Sequence, residues 1–554
     1  ILFQFPCLLP SELLYCIISF MNSRLFLVVS FLALAFLPLA AQMQETEFVT
    51  VYGSQLPELD PQKAIFSNEA QIHTAIYEGL FNYDPNTLEP MRALAQNWER
   101  SVDKKLYRFT IRDNALWSDG SPITAEDFVR SWFRMLDINA EYATFFDIIE
   151  GAKQYRMGLD KNPEHVGIKA ASPNTLEITL VRPVAYFTRL LCHQSFSVIH
   201  PSMIDAGDWR NAIPYPVSGP YKPVSMTDTE LILEKNEAYW DSKNVSIPKL
   251  RMMFTDDDEL ATSLFNTGYV HWLDGPGNYD KVLLQTAIQI SPMYSTHYWF
   301  FNCRSEPWND KRVRRALALL LPWDSIRSSE FYMLPAKTLV LPLPGYSKTK
   351  GIEKTDSTEA MKLLEESGYP KGQGLPEIII AFADYERPRS IANTFKTEWE
   401  KALDVKVTLK PMQPSSYYES IGNRSEASSF TIAHETWIGD FADPEAFLQM
   451  WTSDAPLNIA GYNDSVFMDF MIQSYDASDE KRMSILAKAE TELLQGAACL
   501  PIYHNFAASV IDIDFIQGWY QNALDIHPYK YLHFGNPSIS PNVAKVSSSY
   551  ISLR

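Results

Sequence analysis

Cysteine is scarce in this chain, which has five among 554 residues. Cys192, Cys303 and Cys499 stand far apart, and nowhere do two residues separate a pair of cysteines. Zinc sites and redox sites built on a CxxC motif are therefore excluded. We expect these three cysteines to carry free thiols, although an oxidising compartment would permit one disulfide among them.

The signatures of common catalytic and cofactor sites are absent too. The sequence has no GxSxG nucleophile elbow, no HExxH metal motif, no P-loop and no GxGxxG fingerprint. Its ten histidines are scattered, and His527 and His533 lie near the C-terminus without a third metal ligand in view. We therefore interpret the histidines as surface or structural residues and not as metal ligands, and we expect neither enzyme activity nor a metal or cofactor.

An acidic run at 255–259 directly precedes the apolar helical pattern of Leu260, Leu264 and Phe265. Acidic residues at a helix N-terminus explain this run more simply than a calcium site, which needs about six to eight oxygen ligands.

Positive charge is in deficit, with 48 Lys and Arg against 67 Asp and Glu, a net charge of -19 and a pI near 5.0. Such a chain repels phosphate backbones, so we do not expect nucleic acid as a partner. Hydrophobic residues make up 46%, enough for large cores, and the length suggests roughly three to five structural units.

The longest uncharged apolar run lies at 25–39. It follows the positive charge of Arg24, and two alanines come after it. A basic start, an apolar centre and a small-residue exit predict a secretory signal peptide at 21–41. The run is about 15 residues long, short of the ~20 that span a bilayer, so a permanent membrane anchor is the less favoured interpretation.

Two further expectations concern the residues around this signal. Gln42 stands where a lipoprotein would need a cysteine, so we expect an exported protein without a lipid anchor. Residues 1–20 are apolar without globular patterning, and we interpret them as an upstream extension with Met21 as the true initiator.

The remaining sequence alternates short strand patterns with amphipathic helical patterns, which predicts an α/β architecture. Thr124 and Asp127 form a variant of the capping box at the start of one helix. The clearest segments are strands at 48–52, 106–111 and 175–180, and helices from 124, over 313–320 and over 484–494.

Aromatic residues are abundant, with 13 Trp, 28 Tyr and 31 Phe, and four of them follow one another at 298–301. Strand alternation points two of these four to each face of a sheet. Core packing accounts for at least half of the aromatic residues, and the others are predicted to line a ligand cleft with few polar groups.

Several short motifs stand in the order typical of one family. The chain resembles, over about 49–531, the periplasmic oligopeptide-binding proteins of the peptide/nickel class of ABC-importer receptors. The longest motif, 117–129, is similar to the family signature. The others lie at 59–61, 77–80, 83–85, 182–187, 218–221, 234–236, 239–240, 309–314, 437–444 and 501–503.

The resemblance implies a two-lobed periplasmic-binding-protein-like α/β fold with an additional inserted domain, three domains in all. Lobe I would comprise 43–80, 206–305 and 516–545, the inserted domain 81–205, and lobe III 306–515. The implied function is the capture of short peptides by a periplasmic monomer and their delivery to the permease subunits of an ABC-type oligopeptide importer.

The resemblance also implies ligand-binding residues. Asp440 aligns with an aspartate that pairs with the N-terminal ammonium of a peptide, although Asp also serves in turns, here beside Pro444. A buried carboxylate facing a cleft needs a cation or donors. Trp437 would form a wall of a side-chain pocket. Thr436 and Ile438 would offer backbone groups to an extended ligand, as in strand addition.

Other ligand contacts are implied on the opposite side of the cleft and at its far end. His434 stands where the family can carry an arginine, and Arg387 stands where a histidine can meet the ligand carboxylate. An exchange of charge between these two positions leaves the preferred peptide length open. The remaining implied contacts are Ile65, Phe66, Ser67, Ser218, Gly219 and Trp519.

Alternative functions are a non-peptide solute in the same fold (a nickel chelate, haem or a glycan), a surface adhesin, or a hydrolase. Asp440 separates the first from peptide binding, because it suits a cationic amine and has no role for an anionic chelate. A hydrolase would need a nucleophile–base pair that the sequence does not contain.

Overall fold

The computed structural model describes residues 47–64, 66–328, 333–343, 345–422, 429–453, 455, 457–475 and 477–535. The predicted upstream extension and signal peptide, and Ile65, lie outside these residues. Within the described part of the chain, no helix combines the length and the apolar character needed to cross a membrane.

The described residues form nineteen strands. In chain order these are β1 Phe48–Tyr52, β2 Phe81–Tyr83, β3 Pro90–Arg92, β4 Ala95–Arg100, β5 Leu106–Ile111, β6 Ile168–Ser172, β7 Thr175–Thr179, β8 Tyr221–Met226, β9 Glu230–Lys235, β10 Lys249–Phe254, β11 Trp272–Asp274, β12 Ile288–Phe301, β13 Met333–Pro335, β14 Ile378–Ala383, β15 Val407–Met412, β16 Ile432–Ile438, β17 Cys499–Ile511, β18 Ile516–Gln517 and β19 His533–Phe534.

Thirteen α-helices, with several short 3-10 turns, complete the described structure. The helices are α1 Ser67–Ile76, α2 Ala125–Ile138, α3 Ala152–Arg156, α4 Phe187–Leu190, α5 Asp258–Asn266, α6 Lys311–Leu319, α7 Trp323–Ile326, α8 Ser357–Glu366, α9 Glu386–Ala402, α10 Pro414–Gly422, α11 Glu445–Leu448, α12 Ser465–Tyr475 and α13 Asp479–Gln495.

One large sheet has the strand order β15-β14-β16-β12-β17-β11-β1-β10-β9-β8, with β13 also paired to β17. β12 and β17 are its longest strands and lie at its centre, antiparallel to each other. Residues 295–301 of β12 pair with β16, and residues 509–511 of β17 pair with β11. Register shifts after Pro292 and after His297 interrupt the β12–β17 pairing. Such irregularities bend a strand pair, so we expect the two halves of the sheet to meet at a bend.

A separate antiparallel sheet of four strands has the order β4-β5-β7-β6 and packs against α2. Trp132 on α2 contacts the rings of Phe146 and Phe196, at 5.8 and 5.4 Å between centroids. All three rings are completely buried. The whole of this sheet falls within the predicted inserted domain 81–205, whose boundaries stay a prediction.

The local sequence predictions agree with the structure. β1 and β5 have the predicted bounds, and α2 begins after Thr124, whose capping box with Asp127 is formed. The acidic run caps α5, since the Asp257 carboxylate accepts a hydrogen bond from the Leu260 N–H at 2.9 Å. The four aromatic residues at 298–301 are all buried core residues, divided between the two faces of β12. The mixed α/β class is confirmed.

Candidate ligand-binding site

Strand β16 has one paired edge and one largely open edge. Along one side it pairs with β12 from Ser295↔Ile438 to Phe301↔Ile432. On the other side it meets β14 only at Ile380↔Ile432, and no other described strand lies against it. The C-terminal part of β16 therefore presents backbone groups that the sheet does not use.

The ladder shows which residues point to the open edge. The Gly439 N–H donates to the Tyr294 carbonyl at 2.8 Å, and the Asn302 N–H donates to the Thr431 carbonyl at 2.9 Å. Hydrogen-bonded pairs recur every second residue in antiparallel strands, so positions 433, 435 and 437 bond to β12. The backbone groups of Thr436 and Ile438 consequently point away from β12, as strand addition requires.

Neighbouring side chains narrow this open edge to two residues. The Tyr417 hydroxyl bonds both backbone groups of His434, accepting from its N–H at 2.9 Å and donating to its carbonyl at 2.8 Å. The Thr436 N–H donates to the Glu435 carboxylate at 2.9 Å, and Ile438 is 50% exposed. An extended ligand can thus reach Ile438 directly and Thr436 by displacing the Glu435 carboxylate.

Asp440 follows this edge and has no cationic partner among the described residues. Burial raises the pKa of its carboxyl to about 7, against a hydrogen bond from the Tyr142 hydroxyl that lowers it. Tyr142 lies in the 3-10 helix Glu141–Ile148, within the predicted inserted domain. A desolvated carboxylate without a counter-ion is costly, and a ligand cation would remove that cost.

Tight packing holds the loop that carries Asp440. A Cβ at Gly439 would overlap the rings of Tyr294 and Phe447, so only glycine fits there. The next residue, Phe441, stacks on Tyr186 with ring centroids 5.0 Å apart. The loop is therefore fixed from both the β12 side and the 81–205 side.

Buried ion pairs fix the same loop further along. Arg482 on α13 donates two hydrogen bonds to Asp443, at 2.8 and 2.7 Å, and one to Glu445 at 3.1 Å. Two arginines of the predicted inserted domain lie nearby: Arg182 is 3.9 Å from the Glu445 carboxylate, and Arg189 is 4.0 Å from the Asp443 carboxylate. Asp443 is thus fully used within the protein, whereas Asp440 three residues earlier is not.

Trp437 is half-buried beside this loop. Its indole N–H donates to the Ala446 carbonyl at 2.8 Å, which fixes the ring plane. Glu435, two residues earlier on the same face of β16, was not among the predicted site residues. An acid among apolar strand residues was the available signal, but alternation alone does not say which face lines a cleft.

The predicted far end of the cleft brings Arg387 and His434 near each other around His297. The Arg387 guanidinium lies 5.0 Å from the centre of the Tyr503 ring, which stacks on His297 at 4.6 Å. The ring centroids of His297 and His434 are 5.0 Å apart. Burial lowers the pKa of His434 to about 3, and its Nε2 accepts the Ala383 N–H at 3.1 Å. The positive charge at this end is therefore that of Arg387.

Ser218 and Gly219 lie buried behind α1. The Ser218 Oγ accepts the Glu78 N–H at 3.0 Å, and the Gly219 N–H donates to the Ile76 carbonyl at 2.9 Å. A Cβ at Gly219 would collide with the backbone of Ile76 and Tyr77. These contacts hold the end of α1, and a direct ligand contact by either residue stays a prediction.

The other predicted ligand contacts differ in how exposed their side chains are. Phe66 precedes α1 and is 46% exposed, whereas the Ser67 side chain lies outside the described part. Trp519 is buried and stacks on His527 at 4.2 Å, and its indole N–H has no partner among the described residues. Their ligand contacts also stay predictions.

Comparison with known proteins places these features in a family. Residues 89–458 match the family described as bacterial extracellular solute-binding proteins, family 5. The periplasmic oligopeptide-binding protein OppA of Salmonella typhimurium is 28% identical over 480 residues, 83% of this chain and 87% of the relative. The oligopeptide-binding protein OppA of Bacillus subtilis is 29% identical, covering 77% and 82%. The probable deoxycholate-binding periplasmic protein YgiS of Escherichia coli is also 29% identical, covering 80% and 85%.

Solved structures share the architecture. A periplasmic oligopeptide-binding protein from Borrelia burgdorferi superposes with a TM-score of 0.69 at 27% identity, covering 88% of this chain and 99% of its own. The murein tripeptide-binding protein MppA of Escherichia coli gives a TM-score of 0.69 at 25% identity, covering 88% and 98%. These neighbours are two-lobed periplasmic binding proteins, which confirms the predicted two-lobed α/β fold, whereas the count of three domains stays a prediction.

Proposed function

Because the chain belongs to family 5 of the bacterial extracellular solute-binding proteins, we propose that it captures short peptides outside the cytoplasm and delivers them to an ABC-type importer. The observation that carries the proposal is Asp440, a desolvated carboxylate without a cationic partner among the described residues, beside an open strand edge. A peptide supplies both the ammonium for the carboxylate and the backbone for the edge.

We assign a part of the ligand to each end of the site. The peptide ammonium pairs with Asp440, and its first backbone groups bond Ile438 and Thr436. Main-chain bonds of this kind favour affinity that depends little on side-chain identity. Arg387 supplies the positive charge for the carboxylate end, beside the neutral imidazoles of His297 and His434.

The domain organisation belongs to the same proposal. Lobe I (43–80, 206–305 and 516–545) and lobe III (306–515) would close on the ligand about the bend in β12 and β17, since hinge closure is the common motion of such proteins. The distribution of strands supports this, because β16 and β11 attach at opposite ends of that central pair. A periplasmic monomer without a lipid anchor or catalytic activity, docking on permease subunits, completes the proposal.

A steroid acid is the alternative that one relative's name suggests. Deoxycholate is an anion, and an unpaired carboxylate at Asp440 would repel it. A peptide with a free amino terminus removes the same cost, so peptide is the better ligand.

The test compares Asp440→Asn with the wild type on free and N-acetylated forms of the same peptides. We expect a loss of about 10- to 100-fold in affinity for free peptides, since a hydrogen bond to a charged group contributes about 1.5–3 kcal/mol. Acetylated peptides should bind both proteins equally. Asp404→Asn, at an exposed aspartate, is the control.

Equal losses for free and acetylated peptides would remove Asp440 from the ammonium role. Separately, mass spectrometry of ligand released by denaturing the purified wild type should show mixed short peptides. A single non-peptide compound would contradict the proposed ligand.

A further inference from the structure

Glu435 shares one face of the sheet with three aromatic residues. It stands directly opposite Tyr298 in the β12–β16 ladder, and directly opposite residues share a face. Trp437, two residues along β16, lies on that face too. Trp451 contacts Tyr298 there, with ring centroids 5.8 Å apart.

The Glu435 carboxylate has no cation within ion-pair distance in the part of the chain that the structure describes. Its one hydrogen bond from a residue that the structure describes comes from the Thr436 N–H, at 2.9 Å. Burial raises the pKa of this carboxyl to about 7. The Glu435 side chain is half-buried, and an acid partly removed from water without a counter-ion is uncommon, because desolvating a charge costs several kcal/mol unless a partner compensates.

The surroundings also contain unsatisfied polar groups. The Tyr298 hydroxyl and the Trp451 indole N–H are buried and have no hydrogen-bond partner among the described residues. Burial, and then the nearby Glu435 carboxylate, raise the pKa of the Tyr298 hydroxyl well above its usual value. A carboxylate beside aromatic rings is the chemistry that binds an ammonium or guanidinium group.

We propose that Glu435, with Tyr298 and Trp437 as its walls, is a specificity-determining residue that selects peptides carrying a lysine or arginine side chain. The proposal rests on the proposed peptide-binding function and adds a second cation site to that of Asp440. It also explains why the carboxylate lies on the open edge. There it holds the Thr436 N–H until a ligand carbonyl takes that donor.

The spacing of the two carboxylates limits the ligand position. Glu435 and Asp440 are five residues apart, and an extended chain rises about 3.3 Å per residue. A peptide with its ammonium at Asp440 therefore brings a residue from the second to the fifth position to Glu435.

The test is a position scan measured by isothermal titration calorimetry. Alanine pentapeptides with free amino termini carry lysine, or its uncharged analogue norleucine, at one of positions 2 to 5. We expect the wild type to prefer lysine about 10- to 100-fold at one position. Glu435→Gln keeps an acceptor for the Thr436 N–H but removes the charge. This variant should lose the preference and bind the norleucine peptide as the wild type does.

Two controls separate the possible failures. Glu365→Gln, at an exposed glutamate on α8, should retain the lysine preference, and Asp440→Asn should retain it at lower overall affinity. If the wild type binds none of the peptides, the proposed function fails. If it binds them without a lysine preference, or if Glu435→Gln retains the preference, the assignment of Glu435 is overturned.

A measurement without variants keeps the proposal testable if Glu435→Gln folds poorly. Peptides released from the purified wild type should be enriched in lysine and arginine at one position between 2 and 5. Random composition at all four positions would overturn the proposal. Loss of every peptide by a folded Glu435→Gln protein would instead assign Glu435 a structural role at the edge.

Discussion

Asp440 and Glu435 are carboxyls that change protonation in the neutral range. Burial raises the pKa of each to about 7. A ligand cation favours the charged form, so the pKa of each carboxyl falls in the complex. At a pH between the pKa of a carboxyl in the free protein and its lower pKa in the complex, the complex binds fewer protons than the free protein. Binding therefore releases protons in that range.

Peptide affinity should therefore rise from pH 5 to about pH 7. It should fall again above about pH 8, where the peptide's own amino group loses its proton. Calorimetry at pH 6 in two buffers of different ionisation enthalpy should show up to one proton released through Asp440. A lysine peptide should release more, through Glu435.

Asp440→Asn should flatten the acid side of this profile for peptides without lysine, whereas Asp404→Asn should leave it unchanged. The two histidines at the far end of the cleft do not titrate in this window, because burial lowers the pKa of His434 to about 3 and that of His297 well below its usual value. Binding at pH 6 without proton release would show that Asp440 is already ionised or does not meet the ammonium.

At the scale of the element, the loop after β16 depends on a close approach that only glycine permits. Gly439→Ala would push a methyl group into the rings of Tyr294 and Phe447. We expect a loss of about 1–3 kcal/mol in the free energy of unfolding, typical of overpacking, measured by urea denaturation. Peptide affinity should fall as well, because the loop positions Asp440.

Gly207 provides the matched control, because a Cβ there meets no atom within 4 Å. Gly207→Ala should leave stability and affinity almost unchanged. An unaltered Gly439→Ala protein would mean that the loop relaxes without moving Asp440, and the rigidity assigned to it would be wrong.

Sequence reasoning succeeded at this scale where the causes are local. The capping box of Thr124 and Asp127 and the alternation in β5 involve neighbouring residues only. The open edge of β16 could be predicted only through the family resemblance, because it depends on pairing with β12, more than 130 positions away. The role of Glu435 could not be predicted from the sequence. Alternation along a strand shows that the side chains of Glu435 and Thr436 point to opposite faces of the sheet, but not which face meets the ligand.

At the scale of the whole molecule, the two sheets differ in how far apart their strands lie along the chain. The four strands β4 to β7 come from residues 95–179, whereas β17 pairs with β11 and β12 across 199 to 239 positions. Non-local pairing folds slowly, because loop closure costs entropy before contacts form. Pulse-labelled hydrogen exchange during refolding should therefore protect 95–179 before 288–301 and 499–511.

Simultaneous protection of both regions would contradict this order and indicate one cooperative unit. Protection of β16 is the internal comparison, since it should appear together with β12. The resemblance predicted the fold class and its inserted unit, but not the order in which units form. That order follows from pairings that motifs do not report.

The position of β17 has a consequence for the proposed export of this chain from the cytoplasm. The centre of the large sheet cannot close until residues 499–511 are present, and these lie in the last tenth of the sequence. A nascent chain that lacks these residues contains the strands on both sides of the large sheet but not β17, which joins the two sides by pairing with β12 and β11. Topology alone therefore prevents closure of the large sheet until β17 has been made.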